Sequence, residues 1–118
     1  MREIQLQVDG RTVCERCVVA GSPLARMRGL LGRKALPAGE GILLRPASSV
    51  HTAFMRFPID AVFLDVDGRV LRVAAHLNPW RAAGCRGARA VLELSAGESE
   101  RRGVRPGDRV VCDRGLTS

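Results

Sequence analysis

Four polar side chains interrupt an otherwise apolar run at residues 51–65, HTAFMRFPIDAVFLD: His51, Thr52, Arg56 and Asp60. A buried charge or an unpaired donor is costly, so Arg56 and Asp60 must pair, reach the surface or line a solvated cleft. An imidazole, a guanidinium and a carboxylate in one short stretch suit a site for a polar or anionic ligand. His51 could also act as a general base if an acid lies nearby to orient it.

Three residues elsewhere in the chain are candidates for the same site. The Arg28 guanidinium could pair with Asp60 or Glu93 as a structural clamp, or it could bind an anion. Glu93 interrupts the apolar sequence VLEL. It could face solvent, pair with an arginine, or join Asp60 in acid and base chemistry. Trp80, the only tryptophan, could form the floor of a ligand cleft or plug the end of a small barrel.

No catalytic motif accompanies His51. Ser48 and Ser49 are too close to it in sequence to define a triad, and neither Gly-x-Ser-x-Gly nor His-x-x-x-His occurs. We therefore predict a small binding or accessory module with no assigned catalytic residue and no cofactor. One alternative is a hydrolase in which Asp60 or Glu93 works with His51, and another is a structural module for protein interaction.

The four cysteines include one Cys-x-x-Cys pair, Cys14 and Cys17, which could be half of a zinc site or a redox pair. The pair lies in a strand-like segment, RTVCERCVVA, where residues three apart should point to opposite faces. Cys85 and Cys112 are single. We predict reduced structural thiols and no bound metal.

Composition bounds the possible partners. The chain has 118 residues, enough for one domain spanning 1–118, and a net charge of +7 with a pI near 10.8. Such a charge could attract nucleic acid, but the arginines are scattered and only three Phe and one Trp could stack on bases. A small polar or anionic ligand, or a protein partner, is favoured. No apolar run approaches the roughly 18 residues of a membrane span.

The elements that position these residues are predicted to be mainly strands. Two copies of Val-Asp-Gly-Arg, at 8–11 and 66–69, are flanked by alternating apolar residues, a pattern typical of hairpins. Ser22-Pro23 has the residue types that begin a helix, and Gly32 would end it. The hairpins would join strands at 2–8 and 11–19 and at 59–65 and 69–76, and further strands are predicted at 42–44, 90–94 and 109–113.

These short strands predict a mainly β (α+β) fold, a small barrel-like or strongly curved antiparallel or mixed sheet with one short helix closing an end. A helical turn is expected around 98–102, and residues 77–88 are expected to form the longest irregular loop. Strand order is not readable from these patterns.

Six groups of residues carry a resemblance to a known family: RGLLGR at 28–33, Glu40-Gly41, the run at 51–65, Pro79-Trp80, VLEL at 91–94 with Gly97, and Gly107-Asp108. In order and spacing they resemble domain-of-unknown-function family 192, small bacterial and archaeal proteins, over nearly the whole chain. The resemblance implies a compact, mainly β fold and no established activity, substrate or cofactor. Many family members begin with an export signal or lipid anchor. This sequence shows neither, which predicts a cytoplasmic location.

Overall fold

The computed structural model describes residues 2–21 and 35–112, and they confirm the prediction of a mainly β fold. None of these residues belongs to a helix long and apolar enough to cross a membrane. The helix predicted from Ser22-Pro23 lies outside the described residues. The described elements are β1 (Arg2–Val8), β2 (Arg11–Ala20), β3 (Glu40–Leu44), β4 (Ser49–His51), β5 (Ile59–Leu64), β6 (Val70–Leu77), β7 (Ala82–Gly84), β8 (Ala90–Ser95), β9 (Val111–Cys112) and a short helix (Glu98–Arg101).

Seven strands form one mixed sheet in the order β6-β5-β8-β3-β2-β1-β9. β2 and β3 run parallel, and the other neighbouring pairs are antiparallel. The sheet curls into a half-barrel, because strand twist accumulates across it. Its edges meet at one end, where the Val110 N–H donates to the Gly68 carbonyl (2.8 Å) and the Val70 N–H donates to the Asp108 carbonyl (2.7 Å). The predicted strong curvature is confirmed.

The other two strands, β4 and β7, pair antiparallel as a separate small sheet, with Ser49 opposite Gly84 and His51 opposite Ala82. Arg72 on β6 holds this small sheet to the large one: its Nη1 donates to the Gly84 carbonyl at 2.6 Å. The prediction of an irregular loop over 77–88 was therefore wrong at β7. Three small residues, Ala-Ala-Gly, carry no apolar alternation that would reveal a strand.

The run at 51–65 is not one continuous strand. β4 ends at His51 and β5 begins at Ile59. Between them the backbone turns, with Phe54 in the left-handed region at φ 67°. Pro58 precedes β5, a position where the missing N–H interrupts no strand pairing. The polar residues of this run consequently fall in two different environments.

The large sheet buries apolar side chains on both faces. One cluster draws on strands near both edges of the sheet, which places it inside the curl: Leu6, Val8, Val13, Cys14, Cys17, Leu43, Val62, Leu64, Val70, Ala90, Leu92, Leu94, Val104 and Val110. The other lies between the large sheet and the segment carrying β4: Ala20, Leu36, Ile42, Leu44, Val50, Met55, Phe57, Ile59, Ala61, Phe63, Ala88 and Val91. With a core on each side, β5 and β8 are almost wholly buried.

Both predicted hairpins are present, but the same four residues make different turns. In the first, Asp9 and Gly10 both have positive φ, 50° and 80°, as a two-residue type I′ turn requires. In the second, only Gly68 has positive φ, at 85°. Here Asp65 Oδ1 accepts hydrogen bonds from the N–H groups of Asp67 and Arg69, at 2.8 and 2.9 Å. The Asp65 side chain thus selects a longer turn.

Cys14 and Cys17 do not point to opposite faces as expected; both are fully buried in the cluster inside the curl. The cause is an irregularity in strand register: Ile4 pairs with Cys17 and Leu6 with Cys14, so β2 carries one extra residue. A hydrogen bond with Cys14 and burial raise the pKa of the Cys17 thiol. The four cysteines are free, and the described residues contain no group of three or more His, Cys, Asp or Glu that could hold a metal.

Candidate functional site

Asp60 is a fully buried carboxylate on β5 whose oxygens accept hydrogen bonds from three residues, one on β6 and two at the start of the Glu98–Arg101 helix. The His76 N–H donates to Oδ1 at 2.9 Å, and the Gly97 N–H reaches both oxygens at 3.1 Å. Ser99 donates twice to Oδ2, from its N–H at 2.9 Å and its hydroxyl at 2.6 Å. These donors replace the water that a carboxylate loses on burial.

The Asp60 contacts hold the fold together at one point. They fix His76 at the end of β6, where its φ is 52°, and they fix the residues that begin the Glu98–Arg101 helix. As predicted, Asp60 shares a face with Val62 and Leu64, since all three alternate along β5 and the latter two lie in the same apolar cluster. With no exposure and its oxygens engaged, Asp60 does not face a solvated cleft.

Glu93 is also fully buried, on β8, but it lies on the other face of the sheet. In the β5–β8 ladder Asp60 is opposite Leu94, whereas Glu93 is opposite Ala61. Directly opposed residues share a face and successive residues alternate. The two carboxylates therefore point away from each other, and the paired-carboxylate arrangement that would support acid and base chemistry is not formed.

Arg28 lies outside the described residues, so its pairing with either carboxylate, or with an anion, stays a prediction. The remaining candidates are exposed: His51 ends β4, Arg56 lies in the turn before β5, and Trp80 lies between β6 and β7. The six predicted site residues are thus divided. Two are buried on opposite faces of the sheet, three lie on the surface around the small β4–β7 sheet, and one is not described.

Thr52, fully buried, organises the exposed group. Its hydroxyl donates to the Asn78 carbonyl at 2.6 Å and accepts from the Arg81 N–H at 2.9 Å. Its carbonyl accepts from the N–H groups of Met55 and Trp80, at 3.2 and 3.1 Å. One side chain and one carbonyl thus join the segment after β4 to the segment before β7.

Phe54 and Trp80, which these bonds bring together, form an exposed aromatic pair. Their ring centroids are 4.8 Å apart at an interplanar angle of 61°, an edge-to-face contact. The two side chains remain 67% and 63% exposed. Both residues have left-handed backbone, with φ of 67° and 66°. That region is unfavourable for a bulky side chain and is held here by the surrounding hydrogen bonds.

Three basic residues lie close in sequence to the aromatic pair. His51, Arg56 and Arg81 are exposed and adjoin it in sequence, and the Arg81 carbonyl accepts the Thr52 N–H at 2.8 Å. Within the described residues neither Arg56 nor Arg81 forms an ion pair with a carboxylate. We refer to Phe54, Trp80, His51, Arg56 and Arg81 as the aromatic–basic surface.

Charge is distributed unevenly over the molecule. Between residues 41 and 92 the acidic residues are Asp60, Asp65 and Asp67. The first is buried, and the second is occupied by backbone N–H groups, chiefly that of Arg69, which lower its pKa. In other parts of the described chain several arginines pair with carboxylates. The ion pairs among the described residues all lie within or between positions 3–16 and 98–108: Arg11 with Asp9 and Asp108, Arg16 with Glu3, Arg101 with Glu98, and Arg102 with Glu15 and Glu98.

The region with these ion pairs contains a buried carboxylate, that of Glu98. Glu98, 8% exposed, accepts from Arg101 at 2.6 Å and from Arg102 at 3.2 Å. The Arg101 hydrogen bond holds the pKa of Glu98 below its usual value, and the Arg102 hydrogen bond does the same for Glu15. These arginines are satisfied by the protein itself, whereas Arg56 and Arg81 have no carboxylate partner among the described residues.

Thr52, Phe54 and Arg81 are the residues that sequence reasoning did not assign to a site. A buried threonine in a polar-interrupted run is a visible signal, because its hydroxyl needs a partner. No sequence pattern assigns Phe54 to the site, since a phenylalanine does not predict left-handed backbone. Arg81 was one of many scattered arginines until β7 placed it beside Thr52.

The fold and this surface define a class: a curled β half-barrel with a small docked sheet that presents exposed aromatic and basic side chains. The chain belongs to the DUF192 family, described as uncharacterized ACR, whose model matches residues 4–112. No curated protein matches the chain.

Two crystal structures are similar to this chain. A protein of unknown function from Novosphingobium aromaticivorans is 27% identical with a TM-score of 0.80, covering 92% of this chain and 84% of its own. A protein from Sinorhizobium meliloti, described as a "putative transcription regulator", is 26% identical with a TM-score of 0.83, covering 98% of this chain and 96% of its own. The family resemblance seen in the sequence is confirmed, and none of these findings assigns a specific function.

Proposed function

We propose that this protein is a small cytoplasmic binding module and that the aromatic–basic surface contacts its ligand. The observation that carries the proposal is the backbone of Phe54 and Trp80. Two bulky residues in left-handed conformation, in edge-to-face contact yet mostly exposed, contribute little burial in return for their strain. Strain that does not serve packing is typical of residues positioned for contact with another molecule.

The surrounding charges indicate the ligand class. Arg56 and Arg81 supply positive charge close in sequence to the two rings, His51 adds a polar side chain, and no described acidic residue pairs with either arginine. Guanidinium groups pair well with carboxylates and other oxyanions, and an aromatic ring offers a face to a flat or apolar portion. A small polar or anionic ligand, or an acidic peptide segment, fits this combination.

The hydrolase alternative has less support. It requires Asp60 or Glu93 to work with His51, but both carboxylates are fully buried, on opposite faces of the sheet, while His51 is exposed. Nucleic-acid binding is a second candidate because the Sinorhizobium meliloti protein is described as a putative transcription regulator. Unpaired arginines next to exposed rings suit that partner as well.

Trp80 provides a direct test because it is the only tryptophan and lies in the proposed surface. Its fluorescence would be titrated with citrate, glucuronate, an acidic peptide and a short oligothymidylate. We expect one of these to shift or quench the emission saturably. Phe54→Ala and Arg81→Gln should weaken that response, whereas Arg105→Gln, which removes an exposed arginine elsewhere, should not.

The pattern across the panel separates the candidates. A response to citrate or the peptide alone supports the proposal as stated, and a response to oligothymidylate alone favours the nucleic-acid candidate. A saturable response that is unchanged in Phe54→Ala and Arg81→Gln would place the ligand elsewhere. Absence of any response from the panel would remove the support for an anionic ligand.

A further inference from the structure

A concave region lies at the end of the β4–β7 sheet away from the aromatic–basic surface. It is an open groove of about 740 Å³ between the segment that enters β4 and the turn that leaves β7. The two walls are joined by backbone, since the Cys85 N–H donates to the Ser48 carbonyl at 3.0 Å. The lining residues are Pro46, Ala47, Ser48, Cys85, Arg86, Gly87, Ala88 and Arg89.

The turn at the end of this groove has a defined geometry. The Ala88 N–H donates to the Cys85 carbonyl at 3.2 Å, and Gly87 has φ of 89°. A β-carbon at Gly87 would meet only Leu71 Cδ1, at 3.7 Å, so space does not require this glycine. The left-handed backbone does require it, and it leaves the N–H groups of Arg86 and Gly87 outside the hydrogen bond that closes the turn.

The groove carries donors without acceptor partners. Among the described residues, no hydrogen bond is formed by the Ser48 hydroxyl, by the N–H groups of Arg86 and Gly87, or by the guanidinium groups of Arg86 and Arg89. No carboxylate lines the groove. Two positive charges, a hydroxyl and two backbone donors therefore border one concave surface.

We infer that this groove is a binding site for a phosphate group carried as a monoester. Such a group is a tetrahedral oxyanion with about −1.5 to −2 charges at neutral pH and three strong acceptor oxygens. It matches two guanidinium groups in charge, and its oxygens match the additional hydroxyl and N–H donors. The site is separate from the aromatic–basic surface and does not depend on the function proposed for it.

The test uses the ¹⁵N-labelled full chain, titrated with phenyl phosphate at constant ionic strength. We expect saturable shifts of the Ser48, Arg86 and Gly87 amide signals. The double variant Arg86→Gln/Arg89→Gln should raise the dissociation constant by about tenfold or more, given the strength of charge-assisted hydrogen bonds. The shifts of the Ser48, Arg86 and Gly87 signals report on the groove, and any shift of the Trp80 signals reports separately on the aromatic–basic surface.

A matched control removes the same charge elsewhere. Arg16→Gln/Arg105→Gln also lowers the net charge by two, and neither residue lines the groove, so its affinity should stay within about twofold. Sulfate should compete with phenyl phosphate, and acetate should not. Equal weakening by both double variants would overturn the inference, because it would show a response to net charge alone.

Two further outcomes would also overturn it. Phenyl phosphate that leaves the three amide signals unmoved would show that the groove does not hold the group. Short oligothymidylate that shifts the same signals at lower concentration than phenyl phosphate would reassign the groove to the phosphodiester backbone of nucleic acid.

Discussion

The two halves of the 51–65 run follow opposite rules. The β5 half buries Asp60 completely and surrounds its oxygens with donors. The half before it exposes Phe54 on strained backbone. Trp80, between β6 and β7, is likewise exposed and strained. In the first, a polar group is hidden and satisfied; in the second, apolar groups are exposed and strained. The comparison teaches that the most conspicuous charge in the sequence stabilises the frame, while the surface suited to a partner is made of residues beside it.

The largest expected effect is at Asp60. Asp60→Ala leaves the N–H groups of His76, Gly97 and Ser99 and the Ser99 hydroxyl without their acceptor. Removing the buried partner of several donors should lower the free energy of unfolding by about 3–5 kcal/mol. Urea denaturation followed by circular dichroism measures this change.

Matched variants make this test decisive. Asp9→Asn alters an exposed carboxylate in a turn that tolerates asparagine, so it should change stability by less than about 0.5 kcal/mol. If Asp60→Ala does not fold, Ser99→Ala removes only the 2.6 Å hydroxyl bond and should cost about 1–2 kcal/mol. A loss below about 1 kcal/mol for Asp60→Ala would contradict its role in the frame.

Substitution of Thr52 should produce the next largest loss of stability, because its buried hydroxyl holds the segments that carry Phe54 and Trp80 together. Thr52→Val keeps the shape of the side chain but leaves the Asn78 carbonyl and the Arg81 N–H without a partner. Leaving such groups unpaired should cost about 1–3 kcal/mol. The emission of Trp80, whose N–H donates to the Thr52 carbonyl, should also change as the ring pair loosens.

Thr12→Val is the control for this variant. Thr12 is half-buried on β2, and within the described residues its hydroxyl makes no hydrogen bond. Its substitution should leave stability within about 0.5 kcal/mol, because valine also suits a strand. Equal losses at the two threonines would show that the Thr52 hydroxyl has no special part in the surface.

Acid should destabilise the ion-paired region around β2 and the Glu98–Arg101 helix before it destabilises the β4–β7 sheet. The pKa of Glu98 is lowered by its Arg101 hydrogen bond, and the pKa of Glu15 by its Arg102 hydrogen bond. A carboxyl group whose pKa is lower in the folded than in the unfolded state stabilises the fold at pH values above its unfolded pKa of 4.5. That stability is lost as the pH falls through the folded-state pKa. We expect a loss smaller than that of Thr52→Val, because Arg101 is 60% exposed and solvent screens its charge.

Hydrogen exchange at pH 5 and pH 3 would locate this change. Protection should fall first in β2 and the Glu98–Arg101 helix, while the β4–β7 sheet, whose described arginines lack carboxylate partners, should change less. Glu98→Gln should remove part of the pH dependence. Uniform loss of protection over both regions would show that the charge asymmetry has no effect on local stability.

The large sheet could be predicted from the sequence better than the aromatic–basic surface, and the reason is physical. Asp-Gly flanked by alternating apolar residues predicts a hairpin locally, and both hairpins formed. Asp60 within an apolar strand signals a carboxylate that needs partners, although its donors come from Gly97 and Ser99, far along the chain. Those partners depend on strand order, which local patterns do not encode.

The surface depends on features that have no local pattern. The backbone of Phe54 and Trp80 is set by hydrogen bonds to Thr52 and by the docking of β7, a strand too short and too small in its side chains to be predicted. The prediction that Cys14 and Cys17 point to opposite faces was wrong for a similar reason, because one extra residue in β2 reverses the alternation of side chains. The charge asymmetry was hidden as well, since folding decides which of the scattered arginines meet a carboxylate.

The smallest expected effect is the sharpest test of strain at the surface. At ordinary φ, glycine is less stable than alanine by roughly 0.5–1 kcal/mol, but at left-handed φ alanine carries a penalty of roughly 1–2 kcal/mol that glycine does not. Phe54→Gly should therefore be more stable than Phe54→Ala by about 1 kcal/mol. Val66, which is 79% exposed without positive φ, should show the reverse order. Urea denaturation of the four variants measures both differences, and the same order at both positions would show that Phe54 is not held under strain.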